Sequence, residues 1–374
     1  MTPVGRCWLG AGTAAARSTT TRRLCRGAAY SAGSANRSAW LAGDAATTPK
    51  VRLAGNRRGD AIVAWTRYPY TAGGADCERC DYVFARVRRA GGAFGPRVTI
   101  ARRQDVIDLR VALNARGRGV VAWSNEPQGT SPVRARLLSP GGRWGALEQL
   151  PDVRSDRSAF FDSPAGFTAA TSPRGRVLVA WTTIGSGEGD EPDYGRPVYA
   201  SARPLRCGFT PALELSPSSA IDGEGIARID AAYMSGERAL VAWTDGRTEY
   251  AQVHAAVLRG ATLVAQQQLT RGSQDAQPAD VAADSGRRAM VMWSTRNAQR
   301  DFTQWEPTLL RSSLYSDERF GATKPVSPAG DRASVGNAEV AFDRAGDRAL
   351  AIWIRYARGD NPASTILSAS RPAP

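Results

Sequence analysis

The chain has 374 residues, 42% of them hydrophobic, with 49 lysines and arginines against 35 aspartates and glutamates and a net charge of +14. It is long enough to bury a sizeable core, and no apolar run approaches the ~18–20 residues of a membrane-spanning helix. A single histidine, His254, excludes histidine-rich metal sites, and the positive balance favours anionic partners.

Residues 1–37 are rich in Ala, Gly, Ser, Thr and Arg and show no periodicity, which reads as a poorly ordered tail. Its apolar stretch, 7–16, is short and broken by glycines, so it lacks the core of a signal peptide. An extracytoplasmic, secreted protein is still the expectation for this composition. Trp40, in Arg37-Ser-Ala-Trp40, precedes the first repeat as Phe94 precedes the second.

The repeat is a hairpin that runs from a glycine to a tryptophan. Arg58-Gly-Asp-Ala-Ile-Val-Ala-Trp65, Arg116-Gly-Arg-Gly-Val-Val-Ala-Trp123 and Arg174-Gly-Arg-Val-Leu-Val-Ala-Trp181 are followed by Gly236 to Trp243, Gly286 to Trp293 and Gly346 to Trp353. Each copy is preceded by a short apolar run: 51–53, 111–113, 167–170, 229–232, 281–283 and 340–342. Two apolar runs joined by a glycine-containing turn predict a β-hairpin. The second run is apolar at consecutive positions, so both its faces should be buried between stacked sheets.

A second hairpin follows each copy, with first strands at 82–87, 133–138, 198–202, 250–258 and 309–314 and an aromatic at Phe94, Trp144, Phe209 or Phe320. The unit is therefore four strands. The tryptophans are 58, 58, 62, 50 and 60 residues apart, the period of a propeller whose repeats are blades. The expected fold is all-β: a six-bladed β-propeller of four-stranded antiparallel blades over 38–371, with 372–374 as its C-terminal end. The last repeat stops near Thr365 and Ser370 without a fourth strand. Pairing of residues 38–41 with it would close the ring and remove its free edges.

The turns inside the first hairpins are short and carry arginine: Arg57, Arg58, Arg116, Arg118, Arg174, Arg176, Arg238, Arg287, Arg288, Arg344 and Arg348. They should form a basic ring on one face, able to bind an anionic polymer weakly. Since 49 − 2 = 47 of the basic residues are arginine, with only Lys50 and Lys324 as lysines, the bias also fits a GC-rich genome. Connections after the tryptophans emerge on the opposite face, and 66–81, 182–197 and 294–307 are long. Long loops on a rigid frame are where binding concentrates. Candidate ligand-binding residues there are Arg67, Tyr68, Tyr70, Asp190, Asp193, Tyr194, Asp245, Arg247, Arg296, Arg355 and Tyr356. They either converge on a sugar or carboxylate ligand or form a solvated face with scattered ion pairs.

The chain holds no P-loop, G-x-S-x-G or H-E-x-x-H motif. Cys77-Glu-Arg-Cys80 is half of a zinc site without its other half, and reads as a disulfide or two thiols in a long loop. Cys207 reads as a buried or lone thiol, and Cys7 and Cys25 as unpaired residues of the tail. No cofactor or metal is expected, and the chain should be a monomer.

The repeated Gly-to-Trp hairpin and the six copies resemble the bacterial sialidase-like (BNR-type) six-bladed propellers over about residues 38–371. The family's Asp box, Ser-x-Asp-x-Gly-x-x-Trp, takes three steps from glycine to tryptophan; here there are six or seven. Asp343-Arg-Ala-Gly346 and Asp284-Ser-Gly286 keep an aspartate near the glycine. The resemblance implies a propeller and admits a glycoside hydrolase or lyase, with Tyr68, Tyr194, Tyr356, Glu126, Asp190 and Asp245 as the pool for its acid and nucleophile. The residues alone favour a non-catalytic propeller that binds a glycan polymer or protein partner through the long-loop face. An intracellular scaffold is a third reading.

Overall fold

The computed structural model describes residues 50–67, 81–104, 106–125, 133–151, 163–184, 197–216, 228–245, 251–271, 274–284, 286–297, 309–328, 334–343, 346–356 and 364–372. Among them are six antiparallel sheets in chain order and no α-helix. The first holds β1 (Val51–Gly55), β2 (Ala61–Arg67), β3 (Asp81–Arg88) and β4 (Val98–Gln104). The second holds β5 (Val106–Leu113), β6 (Gly119–Asn125), β7 (Val133–Leu138) and β8 (Trp144–Gln149). β9 (Ser163–Thr171), β10 (Val177–Ile184), β11 (Val198–Arg203) and β12 (Leu213–Ser216) form the third, and β13 (Ile229–Tyr233), β14 (Arg238–Asp245), β15 (Gln252–Arg259) and β16 (Thr262–Gln268) the fourth. In the fifth, β17 (Gln274–Ala283), β18 (Ala289–Asn297) and β19 (Leu309–Ser316) are edged by two short pieces, β20 (Arg319–Phe320) and β21 (Lys324–Pro325). The sixth has three strands, β22 (Ser334–Phe342), β23 (Arg348–Tyr356) and β24 (Ser364–Pro372).

The first hairpin of each sheet is the Gly-to-Trp repeat, and in every sheet but the fourth, where Met234 takes the place, its turn is shaped by a polar residue the glycine pattern did not reveal. Asn56 Oδ1 accepts the amides of Arg58 and Asp60, both at 3.0 Å, and Asn114 Oδ1 accepts those of Arg116 and Arg118 at 2.9 and 3.0 Å. Ser172 Oγ does the same for Gly175 and Arg176. Such side-chain acceptors fold the backbone into a tight turn, which Gly117 and Gly175 complete with φ of 77° and 96°. The amide groups of Asn56 and Asn114 then reach onward: Asn56 Nδ2 donates to Asn114 O and Asn114 Nδ2 to Ser172 O, each at 2.8 Å. Each turn is thereby fastened to the next.

Five apolar clusters fill the spaces between consecutive sheets. Ile62, Ala64, Val83 and Ala85 of the first sheet meet Leu109, Val121 and Trp123 of the second. Trp181, Trp243, Trp293 and Trp353 occupy the equivalent place in the following four interfaces, each packed with residues of the sheet before it. This explains the consecutive apolar residues of the second strands: one face serves the preceding sheet and the other the following one. β2 and β6 are buried at six successive positions.

β23 departs from that pattern, with alternating exposed and buried residues. Its far face meets no cluster among the described residues. Ile352 and Ile366 stand 37% and 68% exposed there, and on the first sheet Val51 and Leu53 stand 37% and 55% exposed. Paired residues share a face, so Val51 and Leu53 lie on the side of their partners Trp65 and Val63, away from the second sheet. The first and last sheets thus each show an apolar face. Arg57 Nη2 donates to Asp343 O at 3.2 Å and joins their two turns.

Candidate functional site on the inner strands

The strand register places six residues at equivalent positions on the first strands. Arg52, Arg110, Thr168, Asp230, Asp280 and Glu339 pair with Ala64, Ala122, Ala180, Ala242, Met292 and Ile352, the residues just before the six tryptophans. Two positions further on, each first strand has an alanine: Ala54, Ala112, Ala170, Ala232, Ala282 and Ala341. The first strands are neighbours in succession, so small residues let them approach closely.

At the polar level the sheets are tied one to the next. Arg52 Nη2 meets Asp108 Oδ1 at 3.0 Å, from β1 to β5. Arg110 Nε donates to Phe167 O at 2.9 Å and lies over the Phe167 ring, from β5 to β9. Thr168 Oγ1 donates to Asp230 Oδ1 at 3.1 Å, from β9 to β13. Asp230 Oδ2 accepts Val281 N at 2.8 Å, from β13 to β17, and Asp280 Oδ2 accepts Val340 N at 2.6 Å, from β17 to β22. Lys50 adds a bond from its ammonium to Val106 O.

Charge is distributed unevenly around this chain of contacts. Arg52, Asp108 and Arg110 form an ion-pair group at one side, with Arg110 Nη1 at 2.8 Å from Asp108 Oδ2. Burial pushes the Arg110 guanidinium below its ordinary pKa, and Asp108 acts the other way. On the other side Asp230 Oδ2 and Asp280 Oδ1 both accept Val281 N, at 2.8 and 2.9 Å. Burial pushes the Asp280 carboxyl up to about 8, and the negative charge and hydrogen bond of Asp230 add to the rise. At neutral pH the Asp280 carboxyl therefore keeps its proton.

Of the sequence-predicted site residues, Arg67, Asp245, Arg296, Arg355 and Tyr356 are placed at or near the last residues of β2, β14, β18 and β23, the same end of the second strands. Arg67, Arg355 and Tyr356 are half-buried. Tyr68, Tyr70, Asp190, Asp193, Tyr194 and Arg247 lie outside the described residues, as do Glu126, Cys7, Cys25, Cys77 and Cys80, the tail and residues 38–41. Cys207 is exposed and free, because the β11–β12 connection that carries it runs over the surface. The turn arginines divide into two groups. Arg57, Arg58, Arg116, Arg174 and Arg287 are exposed, whereas Arg118, Arg176 and Arg288 are half-buried. Arg176 Nε meets Glu237 at 3.3 Å and Arg288 Nη2 donates to Gly346 O at 2.6 Å, each reaching the following sheet. The expected ring of free arginines is thus in part a set of braces between turns.

No protein-family model matches the chain, and no curated protein matches it in sequence. Solved structures do resemble it. A PL25 polysaccharide lyase, ulvan lyase bound to -[GlcA(1-4)Rha3S]-, aligns with a TM-score of 0.52 at 10% identity over 86% of this chain and 80% of its own. An α-L-arabinanase of Penicillium chrysogenum aligns at 0.42 and 11% identity, over 86% and 92%. The hemagglutinin-neuraminidase ectodomain of parainfluenza virus 5 aligns at 0.41 and 10% identity, over 88% and 83%. The six antiparallel sheets and the likeness to ulvan lyase together show an all-β fold of the propeller type.

Proposed function

We propose that this chain is a six-bladed propeller that binds a glycan polymer without cleaving it, through the face where the connections after the tryptophans emerge. The observation that carries the non-catalytic reading is the use made of the inner-strand carboxylates. Asp230 and Asp280 converge on one backbone amide, Val281 N, at 2.8 and 2.9 Å, and Asp280 also accepts Val340 N of the next sheet. A retaining glycosidase needs its two carboxyls about 5–5.5 Å apart with the bond to be cleaved between them, and an inverting one needs more. The binding face is supported by the common placement of Arg67, Asp245, Arg296, Arg355 and Tyr356 at one end of the sheets. Guanidiniums and phenols suit sugar hydroxyls and carboxylates. The polysaccharide named for ulvan lyase makes a glycan the first ligand to try, ahead of a protein partner.

The test is a glycan array probed with the purified chain, run beside an assay for new reducing ends and for unsaturated uronates. The expected result is binding without turnover, weakened about ten-fold or more when Arg67 and Arg355 are both changed to Ser, from the loss of charge-assisted hydrogen bonds. Turnover would move the assignment to a hydrolase or lyase at the same mouth. Binding that ignores both substitutions would remove this face from consideration.

Ring closure belongs to the same proposal. β24 pairs with β23 on one side, and the first sheet offers Val51 and Leu53 on its outer face. We propose that residues 38–41 complete the sixth sheet along β24. Deleting residues 1–30 should leave the unfolding midpoint unchanged, whereas deleting 1–45 should expose a strand edge and promote aggregation. Light scattering and thermal unfolding of the two truncations decide it, and equal behaviour would eliminate this closure.

A further inference from the structure

A groove opens at the turn end of the second and third sheets, opposite to Arg67 and Arg355. Its volume is about 550 Å3, and Arg118, Arg143, Arg203, Trp144, Leu137 and Leu205 line it. The three arginines arrive from different elements: the β5–β6 turn, the β7–β8 turn and the end of β11. Their electrostatic states differ. Arg203 is held in a fork by Glu148, with Nε at 2.8 Å and Nη2 at 2.7 Å from the carboxylate oxygens, and its Nη1 donates to Pro204 O. It is neutralised and rigid. No carboxylate pairs with Arg118 or Arg143 among the described residues, so the groove keeps two uncompensated positive charges.

The stem of Arg118 is held by its surroundings, and for Arg143 it is the turn beneath the side chain that is held. Arg118 lies across Gly175, where a Cβ would stand 2.2 Å from Arg118 Cδ and 3.3 Å from a Leu205 methyl. Only a glycine at that point, with φ of 96°, leaves space for the stem. The β7–β8 turn that carries Arg143 is closed by its own Ser139, whose Oγ accepts Arg143 N at 3.0 Å. Arg89 braces that turn from the first sheet, donating to Gly117 O and to Ser139 O at 3.3 and 3.2 Å. The groove's apolar wall is half-buried Leu137, on the face toward the third sheet, with Leu205 43% exposed; Trp144 lines the groove from the edge strand and packs toward the first sheet. Leu205, exposed beside Arg118 at a charged rim, offers a wall to the apolar face of a ligand.

We propose that this groove binds an anionic sugar unit, its carboxylate, sulfate or phosphate held by Arg118 and Arg143 and its C–H face laid on Leu137 and Leu205. Guanidinium pairs take such oxyanions through two parallel hydrogen bonds. The volume falls within the ~300–1,000 Å3 range of small-molecule sites. A free acidic monosaccharide and an acidic residue within a polysaccharide share this chemistry. The site is separate from the long-loop face, and neither reading depends on the other.

The experiment is titration calorimetry of the full chain with glucuronate, glucose 6-phosphate, a tetra-uronate, glucose, a neutral tetrasaccharide and inorganic phosphate. Acidic sugars should bind and neutral ones should not, and affinity should fall as salt rises. Tighter binding of the tetra-uronate than of glucuronate points to a polymer, and equal binding to a free monosaccharide; either supports the site. Arg143→Ser should weaken binding about ten-fold or more, and Leu205→Ser should weaken glucuronate but spare inorganic phosphate. Arg116→Ser removes the same charge from the exposed part of the neighbouring turn, outside the groove, and should change affinity less than about two-fold. The paired Arg67→Ser, Arg355→Ser variant should retain this binding. The proposal is overturned if neutral and acidic sugars bind alike, if neither binds, or if Arg116→Ser is as damaging as Arg143→Ser. Arg143 is exposed and its side chain braces no turn among the described residues, so this variant reports on binding even if Arg118→Ser fails to fold.

Discussion

Replacing Trp123 with alanine should lower unfolding stability by about 3–5 kcal/mol, the range for deleting a buried aromatic. The indole is fully buried between the first two sheets, among Ile62, Ala64, Val83, Leu109 and Val121. Neighbours on two separate sheets cannot collapse together to fill the space, since each is held by its own strand ladder and by a second interface behind it. The cavity should therefore persist, which puts the cost in the upper half of that range. Urea unfolding followed by fluorescence and circular dichroism gives the number. A cost below ~1 kcal/mol would show that the indole is not an inter-sheet wedge and would undo the register of the whole repeat.

A second large effect should come from the Asp230–Asp280 pair. The Asp280 carboxyl is raised from 3.8 to about 8. Between those values the folded chain holds a proton that the unfolded chain releases, so this group contributes stability that is complete below about pH 4 and is lost as pH rises toward 8. Thr168, the amides of Val281 and Val340 and, further off, Arg110 are the groups that face the pair. Asp280→Asn supplies a permanent donor toward Asp230 while its carbonyl still accepts an amide. From pH 5 to pH 8.5 the wild type should lose on the order of 2–4 kcal/mol more than this variant, at about 1.4 kcal/mol per pKa unit. Chemical unfolding at the two pH values measures the difference. Parallel pH dependence in the two proteins would show that the Asp280 carboxyl does not keep its proton.

The sequence made the hairpins legible because their chemistry repeats in kind: glycine, an apolar run, tryptophan. Trp181 and Trp243 could be assigned to inter-sheet positions from that pattern alone. The inner-strand site repeats in position but varies in kind. Arg52, Thr168 and Asp280 share no chemistry, so nothing marks them as equivalents until the register aligns each with the residue before its tryptophan. The alanine two places on was a usable signal, present in all six copies from Ala54 to Ala341. The turn acceptors Asn56, Asn114 and Ser172 were hidden for the same reason. Tyr68, Asp190 and Tyr194 stand in long connections, where no period constrains which residues approach one another.

The inner-strand ties have a consequence for how the chain finds its own order. Six near-copies of one hairpin could dock on the wrong neighbour while folding, a hazard of repeat proteins. The apolar faces are too alike to prevent it. The polar ties are of four kinds over the five junctions: guanidinium to carboxylate, guanidinium to carbonyl, hydroxyl to carboxylate, then carboxylate to amide twice. A repeat bearing Arg110 set where Asp230 belongs would turn a donor toward the Val281 amide, another donor. Each such mismatch leaves a buried polar group unpaired, at about 1–3 kcal/mol. The uneven charge of the inner strands thus works as a set of keys, by which near-identical units are told apart and most wrong orders are disfavoured.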